Sequence, residues 1–476
     1  MIQRHMPNRA QRPSRRIAII GGGFSGAAIA LHLARLARDR THLVMYEPAR
    51  ELGGGVAYGT TREELKLNVP AGKLTIFPDR PGDFHAWLHE QGMHAGVGDF
   101  LPRVVFGRYV RGRLEAALAH ASEVVTLEHV HASVDGVRTG RDGVLVEPLG
   151  ETPVAFDHAI IALGHGPSRV PGALQPYLHL GPILRSPWNE ASMQQVAHKS
   201  RRVLLVGTGL TLCDAAIMLR RMGFQGSLLA VSRRGLLPHA HGPGDASAHA
   251  SWAGQLTGAS LRSIRKEVVR RARTHDWRGV VDALRPHTPG LWGSLGPWDR
   301  ERFLRRLAPY WDIHRHRMDP LVHEEIRSML ESGLLRIRRG HVLAARPSGP
   351  GLECTIGVPG GGAKRTERFH ADAVVLCTGP QADPGQWQSP LIDGLLARGL
   401  ASLDQSGLGL RTDADGFLLG SGATVRPGLS TLGPLRRGEL WESTAVPEIH
   451  VQAERLARRI LEVVPIPCRH DWMVAW

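Results

Sequence analysis

Two glycine-bearing turns hold the residues of this chain best suited to chemistry. The first reads Gly21-Gly22-Gly23-Phe24-Ser25-Gly26. Its three spaced glycines have separate uses. Gly21 permits a tight turn off a strand, Gly23 presents no Cβ to an approaching pyrophosphate, and Gly26 lets the next helix pack closely on the sheet. Around Phe24 and Ser25 the helix N-terminus offers free N–H groups and the positive end of its dipole to phosphate. Glu47 ends the following strand, 21 positions after Gly26. An acid there accepts both ribose hydroxyls of an AMP half.

The second turn, Val206-Gly207-Thr208-Gly209-Leu210-Thr211, keeps two of the three glycines, with Leu212 at the third position. Gly207, Gly209, Leu210 and Thr211 are expected to cradle a second dinucleotide, with helix and sheet slightly further apart. The next strand ends in Ser232-Arg233-Arg234 rather than an acid. Ser and Arg would bind a 2′-phosphate that an acid would repel, which favours NADPH over NADH. The alternative is that Arg233 and Arg234 are ordinary surface charges.

Each turn needs a strand before it and a helix after it. Ile17–Ile20, Ala27–Arg38 and Leu43–Tyr46 read as strand, helix and strand. A strand from Val203, a helix over Cys213–Met222 and a strand over Ser227–Val231 repeat the unit. Leu163-Gly164-His165-Gly166 and Leu376-Cys377-Thr378-Gly379-Pro380 follow two further short strands. A closing helix is expected over Pro447–Val463.

The 476 residues suffice for two to three domains. Lys and Arg total 59 and Asp and Glu 44, a net charge of +15. The charge is scattered and no nucleic-acid-binding motif accompanies it, so it reads as a solvated surface whose field suits phosphate-rich cofactors. Cys213, Cys354, Cys377 and Cys468 form no CxxC pair, metal set or disulfide framework, which fits a reduced, cytoplasmic protein. Ser14-Arg15-Arg16 looks like a twin-arginine export signal, but the apolar stretch after it is better explained as strand, turn and helix. No apolar run reaches membrane-spanning length. His314 and His316 lack a third ligand at a useful spacing, so no metal is expected. The run His239, His241 and His249 reads as a solvated loop bordering the second nucleotide site.

Two such units in this order resemble the two-dinucleotide flavoproteins, with FAD at the first turn and a nicotinamide cofactor at the second. Gly54-Gly55-Val56-Ala57-Tyr58-Gly59-Thr60, Leu67-Asn68-Val69-Pro70-Ala71, Leu432-Gly433-Pro434 and Trp441-Glu442-Ser443-Thr444-Ala445-Val446-Pro447-Glu448-Ile449 resemble the hallmarks of one bacterial subfamily. It includes the FAD-dependent urate hydroxylase and an aspartate N-monooxygenase. The resemblance implies that Gly54, Gly55, Asn68 and Pro70 line the flavin. It also implies that Thr444, Ala445 and Val446 open a helix facing the flavin pyrimidine, and that Gly164 and Gly379 mark the crossings between domains. The linker around Gly181 and Trp188 only partly echoes that of class B flavin monooxygenases. The stretch Asp372 to Pro380 only partly echoes the N-hydroxylase pattern.

The expected fold is therefore α/β, with two Rossmann-like dinucleotide-binding domains, the nicotinamide domain inserted into the FAD domain. Residues 16–196 and 381–476 would form the FAD domain. Residues 197–380 would form the nicotinamide domain, with a helical insertion near 239–335, and residues 1–15 a basic disordered tail. A flavin reduced by NADH or NADPH reacts with O2 to a C4a-hydroperoxide, so a monooxygenase needs few catalytic side chains. A disulfide reductase would need a close cysteine pair. The resemblance favours hydroxylation of urate to 5-hydroxyisourate with NADH, the anion being met by Arg185, His314 and Arg315. N-hydroxylation of a small amine or amino acid is the alternative. A redox-sensing protein that keeps both nucleotide sites without catalysis is another. The expected partners are a small-molecule substrate and O2, with no nucleic acid and no membrane.

Overall fold

The computed structural model describes residues 14–140, 143–359 and 365–462. The first βαβ unit is β1 (Arg15–Ile20), α1 (Phe24–Leu36) and β2 (Thr41–Tyr46). Apart from its solvent-edge end, β1 is apolar at every position, as a strand buried on both faces must be. It pairs in parallel with β2 on one side and with β7 (His158–Ile161) on the other. β3 (Val125–Val130) extends the sheet beyond β2. β17 (Val425–Thr431) lies beside β7, and β16 (Phe417–Leu419) closes that edge antiparallel. The sheet order is β16-β17-β7-β1-β2-β3. Helices α1, α2 (Arg103–His120) and α7 (Val446–Glu462) cover one face. Ile17, Ile19, Ile29, Leu33, Phe106 and Leu456 share its core. An antiparallel sheet of β4 (Val134–Gly140), β5 (Gly143–Pro148) and β6 (Val154–Phe156) lies on the other face.

The second parallel sheet has the order β11-β10-β9-β15-β8. It comprises β8 (Ile183–Leu184), β9 (Arg202–Val206), β10 (Ser227–Ser232), β11 (Leu335–Arg339) and β15 (Ala373–Leu376). Helix α3 (Leu210–Arg221) follows β9 and buries Leu212 fully. β12 (His341–Ser348), β13 (Gly351–Val358) and β14 (Arg365–Ala371) form an antiparallel sheet between β11 and β15. Short helices over residues 247–331 separate β10 from β11. Among them are α4 (Thr288–Ser294) and α5 (Ala308–Arg315), and α6 (Pro390–Ala397) follows β15.

Three details differ from the sequence reading. Arg15 belongs to β1, paired with Thr41, and its guanidinium donates to Leu461 O at 3.0 Å. Residues 1–13 of the expected tail and Cys468 lie outside the described residues. β8 joins the second sheet, and residue 196 falls inside the helix Glu190–Lys199, whose apolar side packs on α3, so the chain passes to the second unit earlier than expected. No helix of the described residues is long and apolar enough to cross a membrane.

Buried polar contacts tie the two units together. Arg103 of α2 donates to Asp214 of α3 at 2.7 Å, and both side chains are largely buried. The helical segment between β10 and β11 reaches back to the C-terminal segment. Trp292 Nε1 donates to Gly438 O at 2.7 Å, and its ring stacks on Trp441 with centroids 5.0 Å apart. Arg285 meets Glu448 at 2.7 Å, and Arg315 meets Glu442 at 3.3 Å.

Candidate functional site

At the first turn the three glycines separate into two kinds. Gly21 has φ +105°, and a Cβ there would fall 2.5 Å from Ala162 O at the end of β7. A Cβ on Gly26 would fall 2.0 Å from Gly21 O. Both are glycine so that the turn can close. Gly23 has an ordinary φ of −70°, and a Cβ there would meet only Gly55 Cα, at 3.4 Å. Nothing in the polypeptide requires glycine at position 23. A ligand pressed against it would, which fits the pyrophosphate of a dinucleotide.

The surrounding residues agree. Gly22 N and Ala49 N donate to the two Glu47 carboxylate oxygens at 2.8 and 3.0 Å. This fixes the carboxylate beside the turn, with lone pairs left for ribose hydroxyls. Gly433 lies against Ser25 at the start of α1, so Thr444, Ala445 and Val446, at the head of α7, come to the same end of the sheet. Ser443 is fully buried there, and its hydroxyl has no partner among the described residues. Gly54 packs within its own turn, whereas Gly55 faces Gly23. Asn68 O accepts from His241 Nε2 at 2.9 Å, so the His-rich loop holds the Asn68–Pro70 strip. His241 is thus an anchored residue and not part of a solvated loop.

The second turn repeats the first. Gly207 has φ +118°, and a Cβ there would fall 2.1 Å from Cys377 O at the end of β15. Around Gly209 nothing lies within 4 Å of a built Cβ. Gly164 and Gly379 sit just past β7 and β15 with the same φ, +72°. Where the first unit has Glu47, the second has Ser232. Its hydroxyl shares a 2.7 Å hydrogen bond with Thr208, whose own hydroxyl donates to Leu236 O. Leu210 and Thr211 open α3 beside it. Arg233 is exposed and has no ion-pair or hydrogen-bond partner among the described residues. Partial burial, then the nearby Arg169 and Arg234, lower its pKa. Arg169, which sequence reasoning missed, is pinned beside the β15 turn: its N–H donates to Gly379 O, and Thr378 donates to its carbonyl. Arg234 donates to the Arg305 and Arg306 carbonyls and lies over Tyr310. Arg169 and Arg233 therefore present charge that no carboxylate among the described residues pairs with.

The three residues expected to meet an anionic substrate do not come together. Arg185 is exposed at the end of edge strand β8. His314 Nδ1 bonds to Tyr310 O, and its ring packs between His239 and Trp277. Arg315 is only 8% exposed and is committed to Glu442 and Glu448. A buried guanidinium with two carboxylates is structural, and breaking such a pair costs about 3–5 kcal/mol. Arg315→Ala is therefore expected to lower stability by that order in urea unfolding. A substrate contact would instead raise KM and leave the unfolding midpoint in place.

A cleft opens beside this pair. His165, past β7, is exposed, yet surrounding protein depresses its pKa to about 4. Asp312 of α5 is raised to about 6 by burial, despite 45% side-chain exposure. His316 is lowered to about 3 by burial and by nearby arginines. Asp312 and His316 keep 45% and 35% of their side-chain surface open although protein packs closely around them, so they line a recess. Among the described residues no three His, Cys, Asp or Glu side chains approach closely enough to hold a metal.

Residues 18–166 match the FAD-NAD(P)-binding family model. None of the curated proteins matches the sequence. Solved structures match nearly end to end at low identity. The ornithine N-hydroxylase of Kutzneria sp. 744 aligns with a TM-score of 0.65 and 16% identity, over 94% of this chain and 99% of that one. The fold is that of a two-dinucleotide-binding flavoprotein. The L-lysine 6-monooxygenase of Pseudomonas syringae gives 0.62 and 18%, over 94% and 99% of the two chains. The FAD-bound cadaverine monooxygenase of Erwinia amylovora gives 0.61 and 13%, over 98% of each. The α/β architecture expected from the two turns is thus established.

Proposed function

We propose that this chain is an FAD-dependent, NADPH-consuming monooxygenase that N-hydroxylates a small amine or amino acid. The end-to-end match to three proteins named for oxidising amines or amino acids carries the reading. Two turns whose middle glycines are not demanded by the surrounding polypeptide support it. FAD would lie on Gly23 with its ribose at Glu47, and its ring between Asn68–Pro70 and Thr444–Val446. The nicotinamide dinucleotide would lie on Gly209, with a 2′-phosphate at Arg233 and Arg169. The flavin part would comprise residues 16–196 and 381–476 and the nicotinamide part 197–380, with β8 and the Glu190–Lys199 helix moved to the latter.

Bound FAD, reduced by NADPH, supplies one activated oxygen atom from O2. The chain contributes position and exclusion of water. Phe24 and Phe106 each pack edge to face with Tyr58, and tilted against each other, behind the Gly54–Gly59 turn and close its inner side. The three described cysteines are buried and unpaired, and burial raises their pKa values, so they offer no redox dithiol. Urate hydroxylation, favoured by the motif resemblance, gains no support from the matched structures, and Arg315 is not free to hold an anion.

The test is NADPH and O2 consumption by the FAD-loaded protein against amines, amino acids and urate, with hydroxylamine and peroxide both measured. We expect a hydroxylamine from an amine or amino acid. The rate should climb toward basic pH, because only a deprotonated nitrogen can be oxidised. Loss of urate without any hydroxylamine would reject N-hydroxylation, and peroxide alone with every compound would do the same.

A further inference from the structure

The roll of α5 is fixed by its contacts. Trp311 Nε1 and Arg315 Nη2 both donate to the Glu442 carboxylate, at 3.2 and 3.3 Å. Asp312 and His316 occupy the adjacent stripe, about 100° round the helix. Asp312 Oδ1 lies 4.0 Å from His316 Nε2. Their side chains stay 45% and 35% exposed, so this stripe faces the cleft. Arg437 stands close to it. Its guanidinium lies over the Trp441 ring at 4.6 Å, and Trp441 is fixed in turn by its stack on Trp292. The Arg437 charge is felt at Asp312 and His316 on α5 and at His165 past β7, so residues of three segments gather around one recess.

Arg437 and Asp312 act on each other but form no ion pair. Among the described residues Arg437 has no carboxylate partner, and the only partner of Asp312 within ion-pair distance is the His316 ring. That ring is uncharged near neutral pH, with a pKa of about 3. An unpaired cation and an unpaired anion in one recess suit a ligand carrying both charges. Each ligand charge would leave water onto an opposite partner, which makes a charge-assisted hydrogen bond favourable. A diamine would leave Arg437 unmatched, and a simple anion would leave Asp312 unmatched.

We propose that Arg437 and Asp312 are the specificity pair of this cleft, Arg437 receiving a carboxylate and Asp312 an ammonium, so that the ligand is a small amino acid. His165 and His316 line the space between them as neutral hydrogen-bonding groups. The inference rests on the N-hydroxylation reading for its chemistry but not for its binding geometry.

The experiment is calorimetric titration of the FAD-loaded protein with L-ornithine, L-lysine and L-aspartate, and with cadaverine as a diamine lacking the carboxylate. Arg437→Gln and Asp312→Asn are titrated alongside. We expect an amino acid to bind more tightly than cadaverine, and each substitution to weaken it about 10–100-fold. Arg437→Gln should leave cadaverine affinity nearly unchanged. Asp312→Asn is isosteric and part-exposed, so it guards against a folding defect at Arg437, which melting curves would show. If no amino acid binds, or if either variant binds like the parent, the pair is rejected. If an amino acid binds and both variants lose it but no hydroxylamine forms, the pair stands and the N-hydroxylation reading fails.

Discussion

Gly23→Ala is expected to yield a folded, colourless protein. The added methyl would meet only Gly55 Cα, at 3.4 Å, an ordinary contact, and φ at position 23 is already accessible to alanine. The cost arises only when pyrophosphate occupies the space the methyl takes, so FAD affinity should fall at least about 100-fold. Flavin absorbance of the purified protein, with and without added FAD, and the melting temperature of the apoprotein report the two halves separately. Gly26→Ala gives the contrast. Its Cβ would fall 2.0 Å from Gly21 O, so the βαβ turn itself has to open, and it should destabilise the apoprotein by about 1–3 kcal/mol or more. If Gly23→Ala retains full flavin occupancy, the pyrophosphate does not lie on this turn. If it melts as early as Gly26→Ala, position 23 is structural after all.

Arg169→Ala and Arg233→Ala should each weaken NADPH about 10–100-fold and NADH far less, as expected when a charge-assisted bond to phosphate is lost. Neither guanidinium has a carboxylate partner among the described residues, so removing one leaves no orphaned anion in the protein. Arg234→Ala should behave differently. Its donations to the Arg305 and Arg306 carbonyls and its place over Tyr310 hold the helical segment, so part of its effect will fall on both cofactors alike. Stopped-flow flavin reduction over a range of NADPH and NADH concentrations measures all three. Equal losses for both nucleotides in Arg169→Ala and Arg233→Ala would show that the pair does not read the 2′-phosphate.

What was legible in the sequence was what is decided locally. A strand, a glycine turn and an Ala-rich helix determine one another within a few residues, so both βαβ units and the α/β class could be read directly. The need for glycine at positions 21 and 26 was readable for the same reason, since each is set by backbone of the strand ends and the turn itself. Arg169 was not readable. It lies in a Pro-rich stretch far from Arg233 and reaches it only because β15 pairs with β9 and β9 with β10. Asp312 and Arg437 met the same obstacle. Arg315 was misread in the opposite sense: type and neighbourhood suggested an anion site, but burial against Glu442 decides its role, and burial of an arginine leaves no mark in the local pattern. His241 belongs with it, taken for a solvated loop residue when it in fact bonds to Asn68 O.

The helical segment leaves the second sheet after β10, returns at β11, and between them is bolted to Glu442, just before α7, and to Glu448 within it. In mechanical terms it is a tie-bar, a non-covalent join between the two nucleotide-binding halves. Arg103–Asp214 is a second fastening on another side. A rigid swing of one half against the other would have to uncover both, each at a cost of about 3–5 kcal/mol once a buried charge loses its partner. The two dinucleotides would then be exchanged by local opening of loops over a stationary frame, and proteolytic nicking between β10 and β11 should loosen the whole molecule rather than release one half.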